Sequence, residues 1–301
     1  MTRRFRATST RAASDARAAA NAGDVEIGAP LGTDEEEGIG GFGRSLFLSH
    51  GKRTPSVIVL FHGFTAAPTQ FADLGATLHA RGANVSIPRL PRHGREDRMT
   101  RTLEELTAAE LTTFTQSSIE AARPHGERIV VAGFSLGGLM TAWAAQNCEL
   151  DRAVAIAPFL GLAWLPHRLA ARTARFVRRV PNMFLWWNPL VREALMPREG
   201  YPRYPTHAVA DMYAIAGQLF DDAALHAPKT HDISLVLNAS EVVVRNRTAR
   251  RLAAYWSRDG KTRVEVSHLR GLPPSHDIIT PDRYPNIVKR VYPQLVELVE
   301  R

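Results

Sequence analysis

The sequence predicts an α/β protein with a mostly parallel central sheet flanked by helices. From about residue 42 onward, short runs of β-branched and other apolar residues alternate with longer stretches of helical periodicity. Four of these runs are almost continuously apolar, which is typical of strands covered on both faces. With 301 residues, 45% of them apolar, the chain is long enough to bury one large core.

The same patterns place the individual elements. Strands are predicted at 56–61, 128–133, 152–157, 233–238 and 262–267. Helices are predicted at 69–81, 102–122, 136–147, 246–259 and 284–300. The second helix is expected to begin with Thr102-Leu-Glu-Glu105, a capping box in which two side chains satisfy backbone donors.

A single catalytic domain is expected over residues 42–301, after a disordered extension over residues 1–41 that is rich in Ala, Ser and Arg. Roughly 70 residues separate the strands at 152–157 and 233–238, whereas a crossover needs on the order of a dozen. Residues of about 159–210 are therefore predicted to form a helical cap over the carboxyl ends of the strands, where ligands bind in such sheets.

Composition excludes several classes of protein. Cys148 is the single cysteine, so no intrachain disulfide can form, and the cytoplasm is the expected compartment. No window of 18 uncharged apolar residues occurs, so a membrane span is not predicted. The net charge of +8 lies partly in the extension. It is accompanied by no nucleic-acid-binding pattern, so no nucleic-acid partner is expected.

The motif Gly133-Phe-Ser-Leu-Gly137 lies between a predicted strand and a predicted helix. A serine in such a sharp turn presents its hydroxyl above the sheet, and the flanking glycines relieve crowding. The helix amino terminus behind it favours developing negative charge. This context predicts Ser135 as a nucleophile, and an ordinary glycine-rich turn is the alternative.

A second motif, His62-Gly63-Phe64, follows the strand at 56–61. Its turn can aim a backbone N–H at the point above Ser135 where acyl transfer builds an oxyanion. The backbone amides of Phe64 and Leu136 are the candidate donors of that oxyanion hole. His62 itself is interpreted as a structural histidine that holds the loop.

Together with two further segments, Leu90-Pro91-Arg92-His93-Gly94 and Leu272-Pro273-Pro274-Ser275-His276-Asp277, these motifs resemble the α/β-hydrolase superfamily in composition and order. The closest likeness is to its bacterial carboxylesterase and monoacylglycerol-lipase-like branch, from about residue 56 to the carboxyl terminus. The resemblance implies the α/β-hydrolase fold with a cap inserted after the sixth strand, a triad in the order Ser, acid, His, and no metal or organic cofactor. Arg92 departs from the family, which commonly has glycine there.

The base is expected among the histidines, because a serine hydroxyl is a poor nucleophile until a base takes its proton. His276 lies in a Pro-rich loop after the last predicted strand, and it is followed by an Asp as in the resembled family. It is therefore predicted to be the general base. His268, at the end of that strand, is the alternative.

The acid that orients the histidine is expected in the loop after the strand at 233–238. Glu241 stands there where the resembled family has Asp, three residues before a Val. Glu241 is therefore predicted to be the triad acid. A surface glutamate is the alternative, with Asp232, Asp277 or no residue in that role.

The predicted cap carries a basic face and an apolar segment. Its arginines recur at helical spacing at positions 168, 172, 175 and 179, and the segment Met183-Phe-Leu-Trp-Trp187 follows. We interpret this region as a lid over a lipophilic acyl pocket, with Phe64, Trp186 and Trp187 as substrate-binding residues. Peripheral contact with an anionic membrane surface is a further hypothesis. Alternatively, the arginines face water and the aromatic residues pack on the core.

The expected activity is hydrolysis of small-molecule carboxylic esters, either short to medium acyl esters or monoacylglycerols, through an acyl-enzyme. The same triad could serve a thioesterase, an amidase or an acyltransferase. A non-catalytic hydrolase-like protein that binds an apolar ligand is the alternative from another class. The sequence does not set the oligomeric state.

Overall fold

A seven-stranded sheet forms the centre of the molecule in the computed structural model, which describes residues 38–162, 173–190 and 199–301. The described residues form nine strands, of which seven belong to this sheet. They are β1 (Leu46–Leu48), β2 (Thr54–Phe61), β3 (Asn84–Ile87), β4 (Gly126–Phe134), β5 (Arg152–Ile156), β6 (Phe184–Trp186), β7 (Arg203–Pro205), β8 (Asp232–Asn238) and β9 (Arg263–Leu269). The sheet order is β1-β3-β2-β4-β5-β8-β9. β1 runs antiparallel to β3, and the remaining neighbours in the sheet are parallel. β6 and β7 form a separate antiparallel pair.

Helices connect the parallel strands. They are α1 (Ala72–Ala80), α2 (Ala108–Ala122), α3 (Leu136–Asn147), α4 (Thr206–Leu225), α5 (Asn246–Trp256) and α6 (Pro285–Glu300). Every residue of β5 is buried, so both faces of the sheet are covered at its centre. Among the residues that the structure describes, no helix is long and apolar enough to cross a bilayer.

The predicted fold class is confirmed, and each of the five predicted strands is present. Two further strands of the sheet, β1 and β3, were not predicted. They contain three and four residues, too few for a period-two or continuous apolar pattern to stand out. Their place in the sheet is determined by pairing, with β3 joined to both β1 and β2.

The helix predicted from Thr102 begins later, at Ala108. Residues Thr102–Glu105 form a separate turn of 3-10 helix without a side-chain cap, and Leu106 after it is extended. The helix cap is Thr107, whose hydroxyl accepts a hydrogen bond from the amide of Glu110 at 3.1 Å. The capping box at Thr102 was therefore wrong, because the same Thr-x-x-Glu spacing recurs five residues later with the backbone geometry of a cap.

The chain between β5 and α4 forms the insertion, defined here as residues 159–205. Its described part contains the helical residues 173–177 and the β6–β7 hairpin, so it is not purely helical as predicted. It ends before Thr206, where α4 begins, rather than near residue 210. Five strands of the described chain precede it. Arg168 and Arg172 of the predicted basic face lie outside the described residues.

The predicted amino-terminal extension lies mostly outside the described residues, which begin at Gly38. Residues 38–41 were assigned to it, yet they already pack against the body of the protein. Ile39 pairs with Arg95 in a β-bridge, and the amide of Gly40 donates to the carbonyl of Gly94 at 3.1 Å. Residues 38–41 are therefore packed against the catalytic domain.

Candidate active site

Ser135 occupies the sharp turn between β4 and α3. Its φ of 54° lies in the left-handed region, which is strained for a residue with a side chain. Backbone hydrogen bonds hold it there, because its amide donates to Ile156 at 3.0 Å and its carbonyl accepts from Phe159 at 2.9 Å. The hydroxyl is thus fixed at the carboxyl end of β4, and the residue is 8% exposed.

Two glycines in this turn are required by close packing. A Cβ atom at Gly133 would lie 2.3 Å from the carbonyl oxygen of Gly137, and one at Gly137 would lie 1.9 Å from the carbonyl oxygen of Phe61. Neither distance leaves room for a side chain. The glycines of the motif therefore allow α3 to begin directly against β2 and β4.

The structure brings Ser135, His276 and Glu241 together in a hydrogen-bonded chain. Nε2 of His276 lies 2.8 Å from Oγ of Ser135, and Nδ1 of His276 lies 2.9 Å from Oε2 of Glu241. The Glu241 side chain is completely buried, whereas 17% of the His276 side chain is exposed. His268, the alternative base, is exposed on β9. The arrangement allows a proton to pass from the serine to an oriented imidazole.

Glu241 is held as a carboxylate by its surroundings. Burial alone would raise its pKa, but the hydrogen bond and charge of His276 and the backbone amides of Val243 and Val244 lower the pKa below its ordinary value. Its Oε1 accepts from the amides of Val242 and Val243 at 2.9 and 2.7 Å. One oxygen is thus bound by its own loop while the other faces the imidazole.

The two alternative acids lie elsewhere. Asp232 begins β8, at the opposite end of the strand from Glu241, and pairs with Arg152 at 2.5 Å. Asp277 folds back on its own loop, where Oδ1 accepts from the amides of Ile279 and Thr280. Neither carboxylate is hydrogen-bonded to His276.

Asn238, the last residue of β8, joins the acid loop to the histidine loop and was missed by the sequence analysis. Its fully buried side chain donates from Nδ2 to the carbonyls of Pro273 and Ser275 at 3.2 and 2.8 Å. Its Oδ1 accepts from the amide of Ser240 at 3.0 Å. The amide group therefore fixes the spacing of Glu241 and His276. Its position at a strand end, three residues before the acid, was the available signal.

The turn at Gly63–Thr65 carries one candidate oxyanion donor. Gly63 donates its amide to Oε1 of Gln70 at 2.8 Å, and Thr65 donates its amide to Nε2 of His93 at 3.2 Å. Within the described part of the chain, the amide of Phe64 between them donates to no other group. Leu136 is the first residue of α3, so its amide has no acceptor inside the helix. Both predicted donors thus remain available beside Ser135.

Two buried histidines support this turn. Nε2 of His62 accepts from the amide of Leu90 at 3.1 Å, so the proton is on Nδ1, which donates to the carbonyl of Gly63. Burial lowers the pKa of His62 well below its ordinary value and lowers that of His93 to about 4. Both rings are therefore neutral near pH 7, as their roles as acceptors require. Both His93 and Gln70 were missed as supports of the site.

Arg92, at a position where the resembled family commonly has glycine, adopts a φ of 67°. The left-handed conformation costs roughly 1–2 kcal/mol for a residue with a side chain. The guanidinium forms ion pairs with Glu105 at 2.7 Å and Glu110 at 3.0 Å. The loop therefore keeps a turn suited to glycine although arginine occupies it.

A cavity of about 520 Å³ opens at Ser135, within the range typical of small-molecule sites. Its apolar lining residues include Phe159, Leu162, Val209, Met212 and Val243, and its polar lining residues include Gln70, Asp277, Thr280, Asp282 and Arg283. Phe64 and Trp187, predicted to bind substrate, line it. Trp186, the third predicted substrate-binding residue, is not among its lining residues.

Other reactive groups are scarce around this cavity. The described residues contain no group of three or more His, Cys, Asp or Glu side chains arranged to hold a metal ion. Cys148 is buried, and burial raises the pKa of its thiol, so the thiol stays protonated. The groups placed for chemistry are therefore the serine, the imidazole and the carboxylate.

Comparisons with known proteins agree with this geometry. A family model described as "Alpha/beta hydrolase family" matches residues 58–291. No curated protein sequence matches the chain. The monoacylglycerol lipase of Paleococcus ferrophilus is similar in structure, with a TM-score of 0.65 and 18% identity over 85% of this chain and 98% of that one. A soluble variant of monoglyceride lipase from Saccharomyces cerevisiae has a TM-score of 0.64 and 12% identity over 85% and 90%.

A chain from the metagenome-derived lipolytic enzymes LipS and LipT has a TM-score of 0.61 and 17% identity, over 85% of this chain and 98% of that one. At such identities a structural likeness shows the fold. The family model rests on the sequence itself and spans most of the chain, including both the Ser135 turn and the His276 loop. On these grounds, the chain belongs to the alpha/beta hydrolase family.

Proposed function

We propose that this protein is a serine hydrolase that cleaves carboxylic esters through an acyl-enzyme. The observation that carries the proposal is the hydrogen-bonded chain from Ser135 through His276 to Glu241, at the wall of a cavity with free backbone donors beside it. Fold membership alone would not support a reaction, because one fold hosts many chemistries.

In the first half of the reaction, Oγ of Ser135 attacks the ester carbonyl while Nε2 of His276 takes the hydroxyl proton. The carboxylate of Glu241 stabilises the imidazolium and fixes its tautomer. The amides of Phe64 and Leu136 bind the oxyanion, and each such donor is typically worth 10²- to 10³-fold in rate. His276 then returns the proton to the leaving alcohol, and an acyl-Ser135 ester remains.

In the second half, water attacks the acyl-enzyme. His276 takes a proton from the water, and the same two amides bind the second oxyanion. Collapse of this intermediate releases the carboxylic acid, and His276 returns the proton to Ser135. No oxidant, reductant or second substrate besides water is needed.

Short to medium acyl esters or monoacylglycerols are the proposed substrates. The apolar lining residues of the cavity suit an acyl chain, and its polar lining residues suit a hydroxyl-bearing alcohol. Similarity in fold to two monoacylglycerol or monoglyceride lipases is consistent with this class. Since Trp187 and Tyr204 line the cavity, the insertion acts in this proposal as its cap.

The outer surface of the insertion supports a peripheral contact with an anionic membrane. Exposed apolar side chains lie there, at Phe176, Met183, Leu185 and Leu190. Arg175 and Arg179 are exposed in the same region. Apolar residues beside cations are typical of surfaces that rest on anionic headgroups. Co-sedimentation with anionic vesicles, but not with zwitterionic ones, is the expected result.

The test of the activity is hydrolysis of p-nitrophenyl esters of increasing chain length by the wild type, Ser135→Ala and His276→Ala. We expect kcat to fall roughly 10⁴- to 10⁶-fold in both variants. His268→Ala is the matched control, because it removes an exposed histidine of β9, and its kcat should equal that of the wild type. The acyl chain length that is hydrolysed fastest will indicate how long a chain the cavity accepts.

Three outcomes would count against the proposal. Equal activity of the wild type and Ser135→Ala on every ester would remove the serine from the reaction. A wild type that is inactive on esters but active on thioesters or amides would keep the triad and change the substrate class. Reaction of Ser135 with neither esters nor a serine-directed phosphonate would favour a non-catalytic binding protein.

A further inference from the structure

Thr65, directly after the candidate oxyanion donor, has an unusual backbone conformation. Its φ of 61° lies in the left-handed region, and a β-branched residue is rarely found there. The residue is also 1% exposed. Such strain persists only where the surrounding structure over-determines it.

Three residues from two parts of the molecule form hydrogen bonds with Thr65. Its amide donates to Nε2 of His93 at 3.2 Å. Its carbonyl accepts from the amide of Tyr201 at 2.8 Å. Its hydroxyl oxygen accepts from the indole Nε1 of Trp187 at 2.9 Å. Two of these three partners belong to the insertion, so the insertion is hydrogen-bonded directly to the oxyanion turn.

Trp187 is itself fixed to the β6–β7 hairpin. Its amide donates to the carbonyl of Pro202 at 3.1 Å. Its indole packs against the ring of Tyr204, with ring centroids 4.3 Å apart, and meets the ring of Phe64 edge-on at 6.3 Å. The position of the hairpin therefore decides where the indole N–H points.

Phe64 lies between two anchored neighbours. Gly63 on one side is bound to Gln70, and Thr65 on the other side is bound to Trp187. Release of Thr65 would let the turn relax from its left-handed conformation and would reorient the Phe64 amide. Of the two groups of the insertion that bind Thr65, the indole N–H is the side-chain donor, and a substitution can remove it without changing the backbone.

We propose that Trp187 and Thr65 are positioning residues, through which the insertion sets the aim of the Phe64 amide. The inference rests on the proposed function, in which that amide binds the oxyanion. When the hairpin lies in the described position, the Trp187 N–H holds Thr65 and the hole is formed. Without this bond, Thr65 is held less firmly and the Phe64 amide is aimed less accurately at the oxyanion.

The test compares Trp187→Phe, which keeps an aromatic ring but removes the N–H, with Thr65→Val, which keeps the β-branched shape but removes the acceptor. Each is expected to lower kcat about 10-fold with KM changed less than about 2-fold, as expected for one lost hydrogen bond that acts on the transition state. The double variant should be no slower than either single variant, because both remove the same bond. Thr65→Ser keeps the hydroxyl acceptor and should therefore keep the kcat of the wild type.

Trp256→Phe is the matched control. It removes an equivalent indole hydrogen bond, from Nε1 of Trp256 to Oε1 of Gln146 at 2.7 Å, at a buried residue that ends helix α5. It should lower the unfolding temperature without lowering kcat. Trp187→Phe should lower kcat without lowering the unfolding temperature, since Trp187 is 40% exposed.

A second measurement does not depend on activity. Hydrogen exchange of the amides at residues 63–66 should become about 10-fold faster in Trp187→Phe and stay unchanged in Trp256→Phe. If the wild type fails to cleave esters, the proposed function is lost, yet this exchange still tests the contact. A raised KM with unchanged kcat, additive effects in the double variant, or unchanged exchange would each overturn the positioning role.

Discussion

The two ends of the central sheet both bury charge, but they do so with different partners. At the amino end, Arg152 begins β5 and its fully buried guanidinium donates to Asp232 at 2.5 Å and to Ser234 at 3.0 Å. At the carboxyl end, the buried carboxylate of Glu241 faces His276 at 2.9 Å. At the amino end, the guanidinium of Arg152 only donates hydrogen bonds, because it carries no acceptor. The carboxyl end continues through His276 to a serine at a cavity.

The difference shows that buried charge does not by itself indicate a reactive site. Arginine is always protonated in proteins, so the amino-end cluster holds strands together and binds α6 through the carbonyl of Leu298. The imidazole of His276 lies between Ser135 and Glu241, so it can accept the proton of the serine and return it. Substitutions at the two ends should therefore separate activity from stability.

The largest expected effect is on activity, from Glu241→Gln. The amide keeps the size of the side chain but donates to Nδ1 of His276, which places the imidazole proton on Nε2 and removes the base. We expect kcat to fall roughly 10³- to 10⁴-fold. Glu265→Gln, on the exposed pair with Arg301, is the control and should match the wild type. If the kcat of Glu241→Gln were within about 10-fold of the wild-type kcat, Glu241 would not be the triad acid.

The next effect is on stability, from Arg152→Met. Removal of one partner of a buried pair typically costs about 3–5 kcal/mol of unfolding free energy. Because the Asp232 side chain is 25% exposed and keeps its pair with Arg263, we expect about 3 kcal/mol. Arg263→Met breaks a second bond to the same Asp232, but its side chain is 60% exposed, so we expect less than about 1 kcal/mol. Denaturant unfolding measures both. A change in kcat at 25 °C in either variant would contradict the division between the two ends.

The smallest effect is the response to acid, which belongs to the carboxyl end. Burial lowers the pKa of His93 to about 4 from an unfolded value of 6.5. Between these two values the unfolded chain binds more protons, so stability falls as the pH falls. From pH 7 to pH 5 this one group should cost about 2 kcal/mol of unfolding free energy. His62 acts in the same direction.

Urea unfolding at the two pH values tests this expectation, with His93→Gln as the variant and His268→Gln as the control. The glutamine keeps a neutral acceptor for the Thr65 amide, so the variant should lose the His93 part of the pH dependence. The exposed His268 should leave the dependence as it is. If the unfolding free energy of His93→Gln fell between pH 7 and pH 5 as much as that of the wild type, the acid sensitivity would belong to other groups.

Local pattern sufficed for the elements at the centre of the sheet. The helix predicted at 136–147 has those bounds in the structure, and β8 differs from its prediction by one residue. Strands that are buried on both faces must be apolar throughout, so their sequence records their environment. The Ser135 turn was recognisable for a related reason, because the backbone contacts at Gly133 and Gly137 admit no side chain.

The sequence by itself determined the fold class, the central strands and the order of the motifs around Ser135 and His276. Only the tertiary structure decided that Glu241 rather than Asp277 faces the imidazole, that the β6–β7 hairpin interrupts the insertion, and that Trp187 rather than Trp186 lines the cavity. The physical reason is range. Periodicity and turn chemistry act between near neighbours, whereas these outcomes depend on contacts between residues that are distant in the chain, such as Thr65 with Trp187.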